Sequence, residues 1–167
     1  MAEELDETAK AAHAVFLYDV IEVNRSISAV WARLCDDGAW LAPLAERATD
    51  RGDRLLKVGP GRGSLSSREV KIRVGRCSYR DGISYIPIRW EATRLSRLFP
   101  ILDGTLELSL LEGERCCLAM KASYRPPLEG LGRVIDSALM HRVAAATVRS
   151  FLREVAQSFE TQGELTP

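Results

Sequence analysis

Three side chains in this sequence could act on a bound molecule: Asp19, Tyr124 and His141. Asp19 sits in "AVFLYDVIEVNR", where Val15, Leu17, Ile21 and Val23 alternate with Phe16, Tyr18, Val20 and Glu22. It falls on the apolar side of that alternation. A buried carboxylate needs a partner, so Asp19 either pairs with an arginine or histidine or is turned outward by a bulge; the outward orientation is expected. Tyr124 brings a phenol to the end of "CCLAMKASYR", where it could orient a ligand, although an aromatic core residue is the commoner case. His141 lies in the last long periodic segment and titrates near pH 6.5 when unperturbed. It is read either as a hydrogen-bonding or acid/base group, or, more simply, as a buried histidine satisfied by a polar neighbour.

Other chemistries find little support. "GPGRGS" (Gly59 to Ser64) has phosphate-loop glycines but lacks the Lys-Ser/Thr ending and precedes a strand pattern, so it reads as a hairpin loop. There is no G-x-S-x-G nucleophile elbow. Two histidines, one of them His13 near the start, and cysteines without zinc spacing argue against a metal site, and no cofactor is expected. Cys35 and Cys77 stand alone, while Cys116 and Cys117 are neighbours on opposite faces of one strand pattern; all four are expected to be reduced.

The elements that position these residues follow from periodicity. After the first strand, "SISAVWARLCDDGAWLAPLAERA" gives two short helices, with Ser28 as a candidate N-cap and a turn at Asp36–Asp37–Gly38. From about Gly52 the period is two. "DRLLKV", "REVKIRVGRCSYR", "ISYIPIRWEAT", "GTLELSL" and "CCLAMKASYR" read as strands, with tight turns at Asp81–Gly82 and "EGER". Consecutive strands of this kind make an antiparallel meander with one apolar and one wet face. The last segment, from about Leu128 to Phe159, is a helix of about 45 Å. Leu131, Val134, Ala138, His141, Ala145, Val148, Leu152, Val155 and Phe159 form its apolar stripe, which must lie across the sheet. Pro126 and Pro127 end the last strand and preset the helix start.

The chain of 167 residues reads as one domain over 14–160, with polar tails at 1–13 and 161–167. Lysine and arginine balance aspartate and glutamate, 23 against 23, so no nucleic-acid partner is expected. Arg62, Arg68, Lys71, Arg73, Arg76 and Arg80 read as a solvated outer face. No stretch is apolar enough to span a membrane, and the acidic start is unlike a secretory signal, so a cytoplasmic protein is expected. Phe99, Pro100 and Ile101 would either support a homodimer or pack under a loop.

Strand, two short helices, meander and long helix is the order of the START-like superfamily, also called SRPBCC, which the sequence resembles over about 15–160. "VIEVNRSISAVWARLCDDGAWLAPL" looks like the family's opening, with Val30, Trp31 and Asp36 in place. "PIRWEAT", "LFPILDGTLELSLL" and "YRPPLEGLGRVIDSALMHRVAAATVRSFLREV" are similar to later parts of bacterial members named for polyketide cyclases. The resemblance implies an α+β helix-grip fold: a curved antiparallel sheet of six to seven strands around the C-terminal helix, with a cavity between them. It implies binding of lipids, polyketides or aromatic compounds, and no catalytic signature that carries over residue by residue.

The alternation supplies the expected cavity wall: Ile72, Val74, Ile86, Ile88, Trp90, Leu106, Leu108, Leu118, Met120 and Tyr124, faced by Ala138, His141 and Ala145. An apolar wall with few polar groups fits a small-molecule site, and it fits a filled core equally. Binding or carrying a small hydrophobic molecule is the expected function. The rivals are a cyclase/dehydratase-type enzyme using His141 with Tyr124 or Asp19, and a protein-interaction module.

Overall fold

The two-residue periodicity becomes a single antiparallel sheet. The computed structural model describes residues 14–36, 38–45, 47–48, 54–58, 68–92, 101–124 and 137–161. Its strands are β1 (Val15–Val23), β2 (Arg47–Ala48), β3 (Arg54–Val58), β4 (Arg68–Val74), β5 (Ser78–Arg80), β6 (Ile83–Ala92), β7 (Leu102–Leu110) and β8 (Cys116–Tyr124). They are ordered β1-β8-β7-β6-β4-β3-β2, with β5 pairing β6 off this path. Helix α1 (Ile27–Leu34) and a 3-10 turn at Ala39–Leu41 follow β1, and helix α2 (Ser137–Thr161) ends the fold.

Two short strands bring the count to eight, beyond the six to seven expected. One is β2, in the segment read as the second short helix, of which only the 3-10 turn forms. The other is β5, because "REVKIRVGRCSYR" is two strands along one partner. The break has a chemical cause. Pro87 in β6 has no N–H to give the ladder, and only its carbonyl is used, accepting from Gly75 N at 2.7 Å. A Cβ on Gly75 would stand 2.9 Å from the Pro87 ring, so glycine is what lets the chain pass. The Asp81–Gly82 turn forms as expected, with φ of 53° and 82°, the paired positive values of a tight hairpin. Helix α1 starts earlier than expected: Ser26 is its N-cap, and Ser28 lies inside it.

Register fixes which side chains share a face. Rows on the helix-facing surface run Ile86–Leu106–Met120–Asp19, Ile88–Gly104–Ala122–Leu17 and Trp90–Leu102–Tyr124–Val15. Most of these side chains are buried, and Ile86, Leu106 and Met120 are 0% exposed. Helix α2 closes the layer with Val148, Phe151, Leu152, Val155, Ala156 and Phe159. Their spacing of three and four residues is the apolar stripe of an amphipathic helix, widened beyond the expected one by Phe151 and Ala156. On the other face Arg89 bridges Glu91 and Asp103, and Lys121 bridges Glu107. This is the wet outer surface; Arg73, Arg76 and Arg80 are exposed.

Candidate functional site

Two tethers fix how α2 lies on the sheet. Arg149 Nε donates to Asp19 Oδ2 at 2.7 Å. Farther along, the backbone N and the Nδ2 of Asn24 donate to Glu160 Oε1 at 2.8 and 3.1 Å. From Asp19 to Asn24 the strand advances about 17 Å, and from Arg149 to Glu160 the helix advances about 17 Å. The lengths match, so α2 runs parallel to β1 along this edge. Four strand residues back from Asp19, about 13 Å, is Val15, in one row with Tyr124. That distance equals about nine helix residues, which places the first described turns of α2 at the level of Tyr124. Across the sheet, Trp90 of the same row meets Phe151, edge to face, at 5.4 Å and 83°. The helix therefore follows β1 along the edge and is oblique to β6.

Tyr124 is a polar residue of this surface, which also carries Asp19 and the buried Ser84. Tyr124 is 2% exposed, and its hydroxyl has no hydrogen-bond partner among the described residues. Burial pushes its phenol above the ordinary tyrosine range, so it stays a neutral donor. In the next row Gly104 pairs with Ala122, the two smallest side chains of the wall. A Cβ on Gly104 would come within 2.9 Å of the Lys121 carbonyl and 3.0 Å of the Ala122 Cβ, so nothing larger fits without moving backbone. At the opposite end, Trp40 from the 3-10 turn is tilted against Phe151 and Phe159, each at 6.4 Å. Its buried Nε1 also has no partner among the described residues.

The expected site residues divide. Ile72, Ile86, Ile88, Trp90, Leu106, Leu108, Leu118, Met120 and Tyr124 are all buried together on the helix-facing side. Val74 and Ala145 are half-buried at its margin. Ala138 is in α2, but its side chain lies outside the described residues, as do the "GPGRGS" loop, Pro126, Pro127, Leu131 and Val134. Phe99 and Pro100 lie outside as well, while Ile101 is exposed.

Three expectations are corrected. His141 is exposed, not central in a buried stripe. Helical spacing alone extended the stripe to it, but His141, Arg142 and Val143 are exposed and the first fully buried position described in α2 is Val148. Asp19 does not turn outward. Its register with Met120 is unbroken, so there is no bulge, and the arginine it needed comes from α2. Its Oδ1 also accepts the backbone N–H of Val20 at 2.9 Å. Arg149 was missed because it lies off the apolar stripe; the unexplained acid on the inner face was the signal that a cation must reach it. Finally, Cys35 and Cys77 are joined as a disulfide, with Cα atoms 5.3 Å apart. They are 42 residues apart in sequence, and no local pattern announces the pairing. Cys116 and Cys117 are free thiols, as expected.

The outer face carries the opposite chemistry. Phe16 and Tyr18 are 76% and 64% exposed, and they wall an open groove of about 610 Å³ whose other sides include Asp103, Thr105, Lys121 and Ser123. Among the described residues no group of three acidic, histidine or cysteine side chains could hold a metal ion. No helix among them is long and apolar enough to cross a membrane.

No family model matches the sequence, and none of the curated proteins does. Among solved structures the chain is similar to the di-domain ARO/CYC StfQ from the steffimycin biosynthetic pathway. Identity is 14% and the TM-score 0.55, over 96% of this chain and 55% of that one. It is similar to the di-domain ARO/CYC BexL from the BE-7585A biosynthetic pathway at 11% identity and a TM-score of 0.53, over 99% of this chain and 60% of that one. DynU16, from the dynemicin biosynthetic locus, gives 17% identity and a TM-score of 0.50, over 88% of this chain and 48% of that one. The chain thus spans about half to three fifths of these structures' length. Identities this low speak of fold alone. Element order, sheet order and these likenesses together show that the chain has an α+β helix-grip fold.

Proposed function

We propose that the protein binds a small hydrophobic molecule on the helix-facing side of the sheet, with Tyr124 as its polar contact. The observation that carries this reading is the Tyr124 hydroxyl, buried and without a partner among the described residues. Leaving a buried hydroxyl unsatisfied costs about 1–3 kcal/mol. A ligand oxygen or nitrogen placed there recovers that cost, while the rest of the ligand lies against Trp90, Leu102 and the Gly104–Ala122 pair. Such a site, apolar with one placed polar group, is what a small-molecule pocket needs. The likeness to two di-domain ARO/CYC proteins supports an aromatic or polyketide-like ligand over a simple acyl chain.

A cyclase/dehydratase-type reaction is the second reading, favoured by the same phenol, which could protonate a carbonyl oxygen in its neutral form. It is the weaker one. Asp19 is engaged by Arg149 and His141 is exposed, so two of the three expected acid/base groups are not free beside Tyr124.

Native mass spectrometry of the purified protein, with solvent extraction, tests the binding reading. A retained or added aromatic ligand bearing a carbonyl or hydroxyl is expected to bind about 5- to 10-fold less tightly to Tyr124→Phe, the equivalent of about 1 kcal/mol for one hydrogen bond. Equal affinity of both proteins for every such ligand would remove Tyr124 from the site. Turnover lost in Tyr124→Phe at unchanged affinity would promote the enzyme reading.

A further inference from the structure

The Cys35–Cys77 disulfide is a covalent tie between two parts of the fold that are 42 residues apart in sequence. Cys35 is the C-cap of α1, and Cys77 lies in the break between β4 and β5. Just beyond Cys35 the chain turns at Gly38 (φ 78°) and enters the 3-10 turn that carries Trp40 and Leu41. Those two side chains are 2% and 1% exposed, and Trp40 plugs the end of the core against Phe151 and Phe159. The backbone hydrogen bonds of this plug among the described residues are local: Ala39 to Asp36, Leu41 to Gly38, Ala42 to Ala39 and Ala45 to Leu41. None of them reaches the sheet. Gly38 also approaches Val74, where a Cβ would stand 3.3 Å from the valine methyl, and Trp40 and Leu41 share the buried core cluster with sheet residues. The covalent tie at Cys35 therefore sits at the entry to the plug and on the same sheet corner.

We propose that Cys35 and Cys77 form a reversible redox latch. Oxidised, it holds the Trp40 plug against the β4–β5 corner; reduced, it frees the plug to open locally. Both cysteines are half-buried, within reach of a small thiol or disulfide. The oxidant is a low-molecular-weight disulfide such as oxidised glutathione. One cysteine thiolate attacks it and expels one glutathione thiolate, leaving a mixed disulfide. The second cysteine thiolate attacks that bond and expels the other. Two protein thiols thus lose two protons and two electrons, which the glutathione disulfide accepts as it becomes two thiols. The latch does not depend on what the protein binds.

Thiol counting and hydrogen exchange test it on the whole chain. After incubation with oxidised glutathione, alkylation in denaturant is expected to find two thiols, Cys116 and Cys117, and four after reduction. Peptides covering Gly38–Ala45 are expected to exchange about tenfold faster in the reduced protein, the signature of local opening, while β7 and β8 exchange unchanged. Cys35→Ser/Cys77→Ser should match the reduced protein in either buffer, and Cys116→Ser/Cys117→Ser should respond like the parent. Four free thiols after oxidation would overturn the pairing. Two thiols with identical exchange of Gly38–Ala45 in both states would overturn the latch, as would faster exchange spread evenly over the sheet.

Discussion

The two ends of the sheet–helix interface are built differently. At the α1 end, Asn24 holds the Glu160 carboxylate, Arg25 donates to the Glu160 carbonyl at 2.7 Å, and Arg33 donates to the Ser158 carbonyl and lies over the Phe159 ring at 4.9 Å. Val23, Cys116 and Val155 there are 0% exposed. At the Tyr124 end, Val15 is half-buried, α2 is exposed at 141–143, and the tyrosine hydroxyl is unpaired among the described residues. One end spends its polar groups on holding the helix. The other presents the unpaired Tyr124 phenol, while at the tethered end the buried Trp40 Nε1 also has no partner among the described residues.

The largest test of that contrast is the fully packed wall. Leu118 is 0% exposed, one row from the tethered end, and Leu118→Ala is expected to cost about 3–4 kcal/mol in urea denaturation. Leu17→Ala, at 6% exposure toward the other end, should cost visibly less. Equal losses would mean that packing is uniform along the grip. Alkali probes the same end. Burial, with smaller contributions from Cys117 and Glu160, pushes the Cys116 thiol up to about 11. Unfolding returns it to about 8.5. The unfolded chain then loses its proton first, so stability is complete below about pH 8.5 and falls as pH rises toward 11, by about 2–3 kcal/mol. Cys116→Ala should flatten that decline in a pH series of denaturation curves. A decline that survives the substitution would place its origin elsewhere.

The tethers should rank in the same direction with a smaller effect. Glu160→Ala takes the acceptor from two Asn24 donors and should cost about 1–2 kcal/mol. Asp19→Ala removes an ion pair whose arginine side chain is 65% exposed, and should cost under about 1 kcal/mol. The reverse order would move the anchor of the helix to the middle of β1.

How much of this was legible in the sequence depends on the range of the interaction. Alternation in β1, β6 and β8 placed the wall, because a strand's faces are set by its own period. The Asp81–Gly82 turn was legible for the same local reason. His141 was misplaced because periodicity marks a helix face without marking where the neighbouring sheet ends. Arg149 and the Cys35–Cys77 pair were hidden because their partners lie 130 and 42 residues away. Asp19 shows the intermediate case: its misfit in an apolar row was visible, its resolution was not. The β4–β5 break could have been anticipated from Pro87, whose missing N–H falls where a ladder bond would be.

Tyr124 gives a small effect and the one of opposite sign. In the ligand-free protein its hydroxyl makes no hydrogen bond among the described residues, so Tyr124→Phe removes a desolvated group and leaves the ring beside its strand neighbour Leu102. The variant is expected to be more stable than the parent by about 1 kcal/mol, a rise of a few degrees in Tm for a domain of this size. A polar substitution that strengthens the protein while weakening a ligand is characteristic of a group kept for recognition. A loss of stability in the ligand-free variant would show that the hydroxyl is held internally after all. The contrast between the two ends would then reduce to packing, and the recognition role of Tyr124 would fall with it.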